Sequence, residues 1–324
     1  MMNNLRQLVQ RTGFITGMIY LLIGSVGLSD DKQPPPIAKP AAPVPDAERL
    51  IYKTVGDVEL PLYVVKPDDW QAGDSRPVVV FYFGGGWRGG NPSQFEAQAK
   101  YFASRGMVAV CVEYRVESRH QVKVADCVAD AKSAFRWVRG HASELGVDPD
   151  RIVASGGSAG GHLAAAVGIL EGFDDPQDDL SISCRPSAMV LFNPGLDLTR
   201  EGYKVSTDDE RYQSRLKQLD GKVLELSPLE HVRPGLPPCL IFHGRQDTTV
   251  PFSQATDFCA AMTKAGNQCE VVGYEGYKHG FFNSFRDDKW PYYDTVRRMD
   301  EFLAGMGYLE GPPTIEVPDE SPMP

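Results

Sequence analysis

Basic residues are in the minority in this chain. Of its 324 residues, 33 are Lys or Arg and 43 are Asp or Glu, giving a formal net charge of −10. Nucleic acid is held by clustered Lys and Arg that neutralise phosphates, so this balance argues against a nucleic-acid partner. Cysteine is sparse. Cys111, Cys127, Cys184, Cys239, Cys259 and Cys269 form no CxxC pair, which argues against a zinc site; no metal or cofactor is expected. Cys111 and Cys239 lie in apolar strand-like runs, where cysteine acts as a small buried hydrophobe. Cys259 and Cys269 could pair in an exported protein, with free thiols the alternative. No apolar run reaches the ~18 residues of a spanning helix. There is no internal repeat.

The nearest approach to such a run, Gly13–Leu28, follows Arg6 and Arg11 and is followed by small residues. A charged region, a short apolar region and a cleavage site near Gly27 or Ser29 read as a signal peptide over 1–29, with an uncleaved anchor as the second reading. The expectation is export, periplasmic or secreted, or membrane attachment if the segment stays uncut. Residues 30–47 are rich in Pro and Ala and read as an extended linker that buries nothing. Residues 310–324 are Pro-rich and acidic, and read as disordered. A single folded domain is expected over 48–309.

Within that domain, apolar runs alternate with amphipathic segments. Strands are expected at Leu50–Val55, Val58–Val65, Pro77–Phe83, Met107–Glu113, Ile152–Ser155, Ala188–Phe192, Cys239–Phe242 and Glu270–Tyr274. Helices are expected at Gln94–Ser104, Lys123–Gly140, Ser158–Leu170, Ser253–Ala265 and Tyr292–Leu303. Continuous apolar strands separated by helices imply an α/β fold with a mostly parallel central sheet, helices on both faces, and chemistry at the carboxyl ends of the strands.

One motif lies at such an end. Gly156-Gly157-Ser158-Ala159-Gly160 is a G-x-S-x-G sequence between a strand and a helix, the context of a nucleophile elbow. The alternative is a glycine-rich turn. A serine hydroxyl needs a base. Among six histidines, His279 follows the last strand and faces the same cleft. His162 lies one turn into the helix after Ser158 and reads as packing. His243 reads as support, and His120, His141 and His231 lack context. The base needs an acid to orient it. Asp247 follows the Cys239–Phe242 strand; Asp197 is the rival, and either could be a turn residue. Gly84-Gly85-Gly86-Trp87 follows the first buried strand, where backbone amides can turn into a cleft. Gly84, Gly85 and Ala159 are the expected donors to an oxyanion.

These stretches together resemble the α/β-hydrolase superfamily, and within it esterases and lipases similar to hormone-sensitive lipase and to bacterial acetyl-xylan or feruloyl esterases. The resemblance rests on FGGGW at Phe83–Trp87, Glu113-Tyr114-Arg115, the Lys123–Gly140 helix with Trp137, and Leu145–Ile152. It also rests on GGSAGGHLAA from Gly156, HGRQDTTVP from His243 and YKHGFF from Tyr277, and covers most of residues 50–305. It implies a serine carboxylic-ester hydrolase working through an acyl-enzyme, on short-chain or carbohydrate-linked acyl esters. The implied partner is a small-molecule or carbohydrate ester, without a membrane partner beyond an N-terminal anchor. Two positions depart from the pattern: Phe83 stands where the family usually has His, and Gly157 where the lipase-like branch usually has Asp.

A charged stretch over 196–232 sits where such enzymes insert a cap. Trp87, Trp70 and Trp290 are candidate cleft aromatics, with packing the expected role of the last two. An arylformamidase, a serine peptidase with the same triad order and a non-catalytic binding module are the alternatives. Nothing in the sequence specifies an oligomeric state.

Overall fold

The alternating apolar runs become eight strands of one sheet. In the computed structural model, residues 41–206 and 208–318 are described, all within the compact unit Ala38–Pro324. The strands are β1 (Glu48–Val55), β2 (Val58–Val65), β3 (Arg76–Tyr82), β4 (Val108–Val112), β5 (Val147–Gly157), β6 (Ala188–Phe192), β7 (Cys239–Gly244) and β8 (Cys269–Tyr274). Their order is β1-β2-β4-β3-β5-β6-β7-β8. β1 and β2 form an antiparallel hairpin, and β2 joins β4 antiparallel; every pairing from β4 to β8 is parallel. This is the α/β-hydrolase arrangement expected from the sequence.

Successive strand residues point to opposite faces, and each face has its own core. Val78, Val80, Val108, Val110, Ile152 and Leu191 pack on one side with the helices Val124–Gly140, Ala159–Ile169 and Phe252–Lys264. Val79, Phe81, Ala109, Val153, Val190 and Phe242 pack on the other with the helices Glu96–Ser104 and Trp290–Gly305. Both faces are covered, which is why these strands read as unbroken apolar runs rather than as alternation. β5 is longer than its apolar stretch suggests. Its last residues, Gly156 and Gly157, stay in register with Leu191 and Phe192, so pairing overrides the low strand preference of glycine.

The structure departs from the sequence expectation in three places. The end of the linker is not bare: Ala41 and Val44 are buried, Val44 in the core cluster with Tyr63 and Phe102, and the Ala42 amide donates to Asn91 Oδ1. An apolar side chain beside an open core edge packs there despite its proline neighbours. The stretch read as an insertion contains a helix, Glu210–Leu219, capped by the Asp209 carboxylate on the Tyr212 amide. The first part of the tail lies along the domain. Gly311 O accepts from Arg105, the Thr314 amide donates to Tyr101, and Pro318 O accepts from Trp290 Nε1. The expected signal segment, and the linker up to residue 40, fall outside the described residues. Among the described residues no helix is long and apolar enough to cross a membrane.

Candidate active site

β5 ends at Gly157 and a helix begins at Ala159, so the whole turn is made at Ser158. Its backbone has φ +55° and ψ −118°, a conformation that costs a non-glycine residue about 1–3 kcal/mol and persists only when its surroundings enforce it. They do so by close approach. A Cβ on Gly160 would stand 2.0 Å from Tyr82 O, and one on Gly157 would stand 2.4 Å from Phe282 Cζ. The Ser158 amide donates to Phe192 O at 2.8 Å. The elbow is therefore pressed against β3, β6 and the loop after β8, with Oγ left facing outward. The Gly157 departure has its reason here, since the Phe282 ring occupies the space that an aspartate side chain would need.

Ser158 Oγ lies 2.8 Å from His279 Nε2, and His279 Nδ1 lies 2.6 Å from Asp247 Oδ2. Asp247 Oδ1 accepts the amides of Thr249 and Val250 at 2.8 and 2.9 Å. Burial pushes the Asp247 carboxyl up. The hydrogen bonds of His243 and His279, the His279 charge and the Val250 amide outweigh it, and hold the group well below the usual carboxylate range. An ionised Asp247 fixes the proton of His279 on Nδ1 and turns the Nε2 lone pair to the Ser158 hydroxyl. His243 is fully buried; its Nε2 lies 2.9 Å from Val250 O and 3.4 Å from Asp247 Oδ2, so it braces the acid's loop. The rival acid, Asp197, instead closes a turn by accepting from the Thr199 amide and hydroxyl.

The glycine loop corrects one expectation. The Gly84 amide, one of the expected donors, instead donates to Gln94 Oε1 at 2.6 Å. The amides of Gly85, Gly86 and Ala159 make no hydrogen bond to another described residue, and all three residues line the cleft that Ser158 and His279 face. Gly85, Gly86 and Ala159 thus leave their amides open at the cleft, whereas the expected Gly84 amide is engaged. Gly85 and Gly86 have φ of +125° and +63°, values open to glycine, and these orient their amides. Phe83 supports the loop by packing. Its ring is buried and stacked on Tyr114 at 4.1 Å, and the Tyr114 hydroxyl donates to Phe83 O.

Polar side chains that the sequence does not single out tie the parts together. Gln94 Nε2 donates to Asn283 Oδ1, Asn283 Nδ2 to Gly280 O, and the Gly280 amide to Asn193 Oδ1. Two of these bonds span separations of 189 and 87 residues, so no local pattern marks them. Trp87 is buried and lies edge-on to His162. His162 is fully buried, and its Nε2 lies 2.8 Å from Leu226 O. Trp70 and Trp290 are spent on packing, their Nε1 atoms donating to Leu145 O and Pro318 O. His120, His141 and His231 sit against the carbonyl or amide groups of their own loops and helices. The cleft has a volume of about 340 Å³. Among the described residues no cluster of His, Cys, Asp and Glu is disposed to hold a metal.

The BD-FAE family model matches residues 64–262, and that of the dienelactone hydrolase family matches residues 225–307. The chain is 31% identical over 258 residues to the probable carboxylic ester hydrolase LipM of Mycobacterium tuberculosis, covering 73% of this chain and 57% of the relative. It is 28% identical over 221 residues to a probable isoprenylcysteine alpha-carbonyl methylesterase of Arabidopsis thaliana, covering 63% of this chain and 45% of the relative. The chain thus spans about half the length of these curated relatives. Among solved structures, Thermogutta terrifontis esterase 2 phosphonylated by sarin has 52% sequence identity and a TM-score of 0.80, covering 83% of this chain and 98% of that one. The same esterase with propionate bound gives 52% and 0.77, covering 83% and 97%.

Proposed function

On the premise that this chain belongs to the BD-FAE family of α/β-hydrolases, we propose that it is a serine carboxylic-ester hydrolase acting on short acyl esters through an acyl-enzyme. The observation that carries this reading is the relay from Asp247 through His279 to Ser158, with spacings of 2.6 and 2.8 Å, at the floor of a cleft.

Ser158 Oγ attacks the ester carbonyl while His279 Nε2 takes its proton. Negative charge forms on the carbonyl oxygen, and the Gly85, Gly86 and Ala159 amides receive it. Preorganised donors of this kind are worth about 3–4 kcal/mol each in a water-poor site. Collapse of the intermediate expels the alcohol, which takes the proton from His279. Water then repeats the sequence on the acyl-enzyme, with His279 as the base. Asp247 stays ionised throughout and stabilises the imidazolium.

A short acyl group suits a cleft of about 340 Å³. The Thermogutta esterase has been captured with propionate and with butyrate bound. Its phosphonylation by sarin is the behaviour of an activated nucleophile, which supports the same role for Ser158. A fluorophosphonate probe should label the wild type and not Ser158→Ala, and the variant should lose at least roughly 10⁴-fold in kcat on p-nitrophenyl acetate while keeping its fold. Retained labelling or turnover in the variant would sink the assignment. A series of acetyl, butyryl, octanoyl and feruloyl esters, with acetylated xylan, ranks the acyl and alcohol parts.

A further inference from the structure

The cleft walls carry charge of one sign. Arg215 and Arg286 line the cleft, and no Asp, Glu or Lys does, although the protein as a whole has a formal net charge of −10. Arg215 comes from the Glu210–Leu219 helix. It is half-buried, and its guanidinium lies over the Tyr203 ring at 3.5 Å. Arg286 comes from the loop after His279. Its Nε donates to Gly280 O at 3.2 Å and its Nη2 to His279 O at 3.4 Å. Among the described residues neither guanidinium has a carboxylate partner, whereas Arg76, Arg88, Arg105, Arg115 and Arg136 all do. The other polar side chains at this wall are neutral, and Gln94, Asn193 and Asn283 are engaged in the hydrogen bonds already described.

A guanidinium stacked on an aromatic face keeps its edge N–H groups for a planar anion in the plane of the fork. Arg286, although exposed, is held on the carbonyls of His279 and Gly280 and so places a second cation beside His279. A pocket lined by two cations and no carboxylate, with the Asp247 charge set behind His279, favours an anion from solution and focuses the field along its approach. Resting on the esterase reading, we infer that the preferred substrates are esters carrying a carboxylate a short distance from the scissile carbonyl, bound by Arg215 and Arg286. The carboxylate can belong to the acid part, as in the monoester of a short dicarboxylic acid, or to the alcohol part.

Four esters separate these sources: monoethyl glutarate against ethyl pentanoate for the acid part, and 3-acetoxypropionate against butyl acetate for the alcohol part. With the full chain, at least one charged ester should exceed its neutral counterpart in kcat/KM by roughly tenfold, the effect of one charge-assisted hydrogen bond. The gain should reside in KM and shrink in concentrated salt. Arg215→Met or Arg286→Met should remove most of the preference, and Arg215→Lys should restore part of it. Neutral esters turned over as well as charged ones by the wild type would overturn the inference and leave the esterase reading standing. A preference unchanged in both methionine variants would do the same. If no ester of either kind is cleaved and no probe labels Ser158, the esterase reading fails and this inference with it.

Discussion

Gly157 occupies a position with no room for a side chain, because the tip of the Phe282 ring stands where its Cβ would go. Phe282 is itself wedged between Phe95 and Phe192, so it cannot withdraw cheaply. Gly157→Ala should displace Ser158 and lower kcat by about 100-fold, the effect of an ångström-scale misplacement. Combining it with Phe282→Leu, which shortens the ring side, should return much of the rate. Kinetics of the two single variants and the double variant test this coupling, and purely additive losses would refute it. The sequence shows the glycine but not its cause: Phe282 lies 125 residues downstream of Gly157, and only the folded sheet brings the two together. Gln94 gives no sequence signal either, although its bond to the Gly84 amide spans a separation of only 10 residues. The meeting of Ser158, Asp247 and His279 is legible because each follows its own strand in a fixed order.

The last helix, Trp290–Gly305, contributes no side chain to the cleft, yet it closes one face of the sheet. Its docking includes Asp300, fully buried, which accepts from Arg105 at 2.7 Å and from the Tyr101 hydroxyl at 2.6 Å. Removing one member of a buried pair strands the other charge, at a cost of about 3–5 kcal/mol. Arg105→Met should therefore lower the unfolding free energy by about 3 kcal/mol, read from the urea midpoint, with kcat little changed in the fraction that stays folded. Strands buried on both faces were readable from their apolar runs alone. The Glu210–Leu219 helix was not, although Tyr212, Leu216 and Leu219 repeat at helical spacing behind the capping Asp209. Its charged residues mask that stripe, and the stripe packs against the domain rather than forming a core of its own.

Over the whole molecule, the buried imidazole of His162 sets a pH limit. Burial lowers its pKa from 6.5 to about 4, against the raising effect of its bond to Leu226 O. The unfolded chain therefore binds the proton more readily than the folded one between these values. Stability is fully present above pH 6.5 and falls as the pH drops towards 4, by up to about 3 kcal/mol for this group. His120, lowered mainly by burial, acts in the same direction. Asp247 adds no slope in this window, because its folded pKa lies below its ordinary one and its contribution is lost only in stronger acid. Denaturant titrations at pH 7 and pH 4.5 should show the loss in the wild type and a shallower one in His162→Gln, which keeps a donor for Leu226 O. Equal slopes would refute the assignment.

The bond between Gln94 and Asn283 joins two loops that are 189 residues apart in the chain. Gln94 holds the glycine loop at Gly84, and Asn283 holds Gly280, the neighbour of His279. Every strand from β4 to β8 lies between them in the chain. A polypeptide that stops short of β8 thus lacks both His279 and the Phe282 ring that presses on the elbow, so the serine and its partner meet only when the last strand has joined the sheet. On the esterase reading, ester turnover would therefore report the joining of β8 to the sheet, which secondary-structure content alone does not.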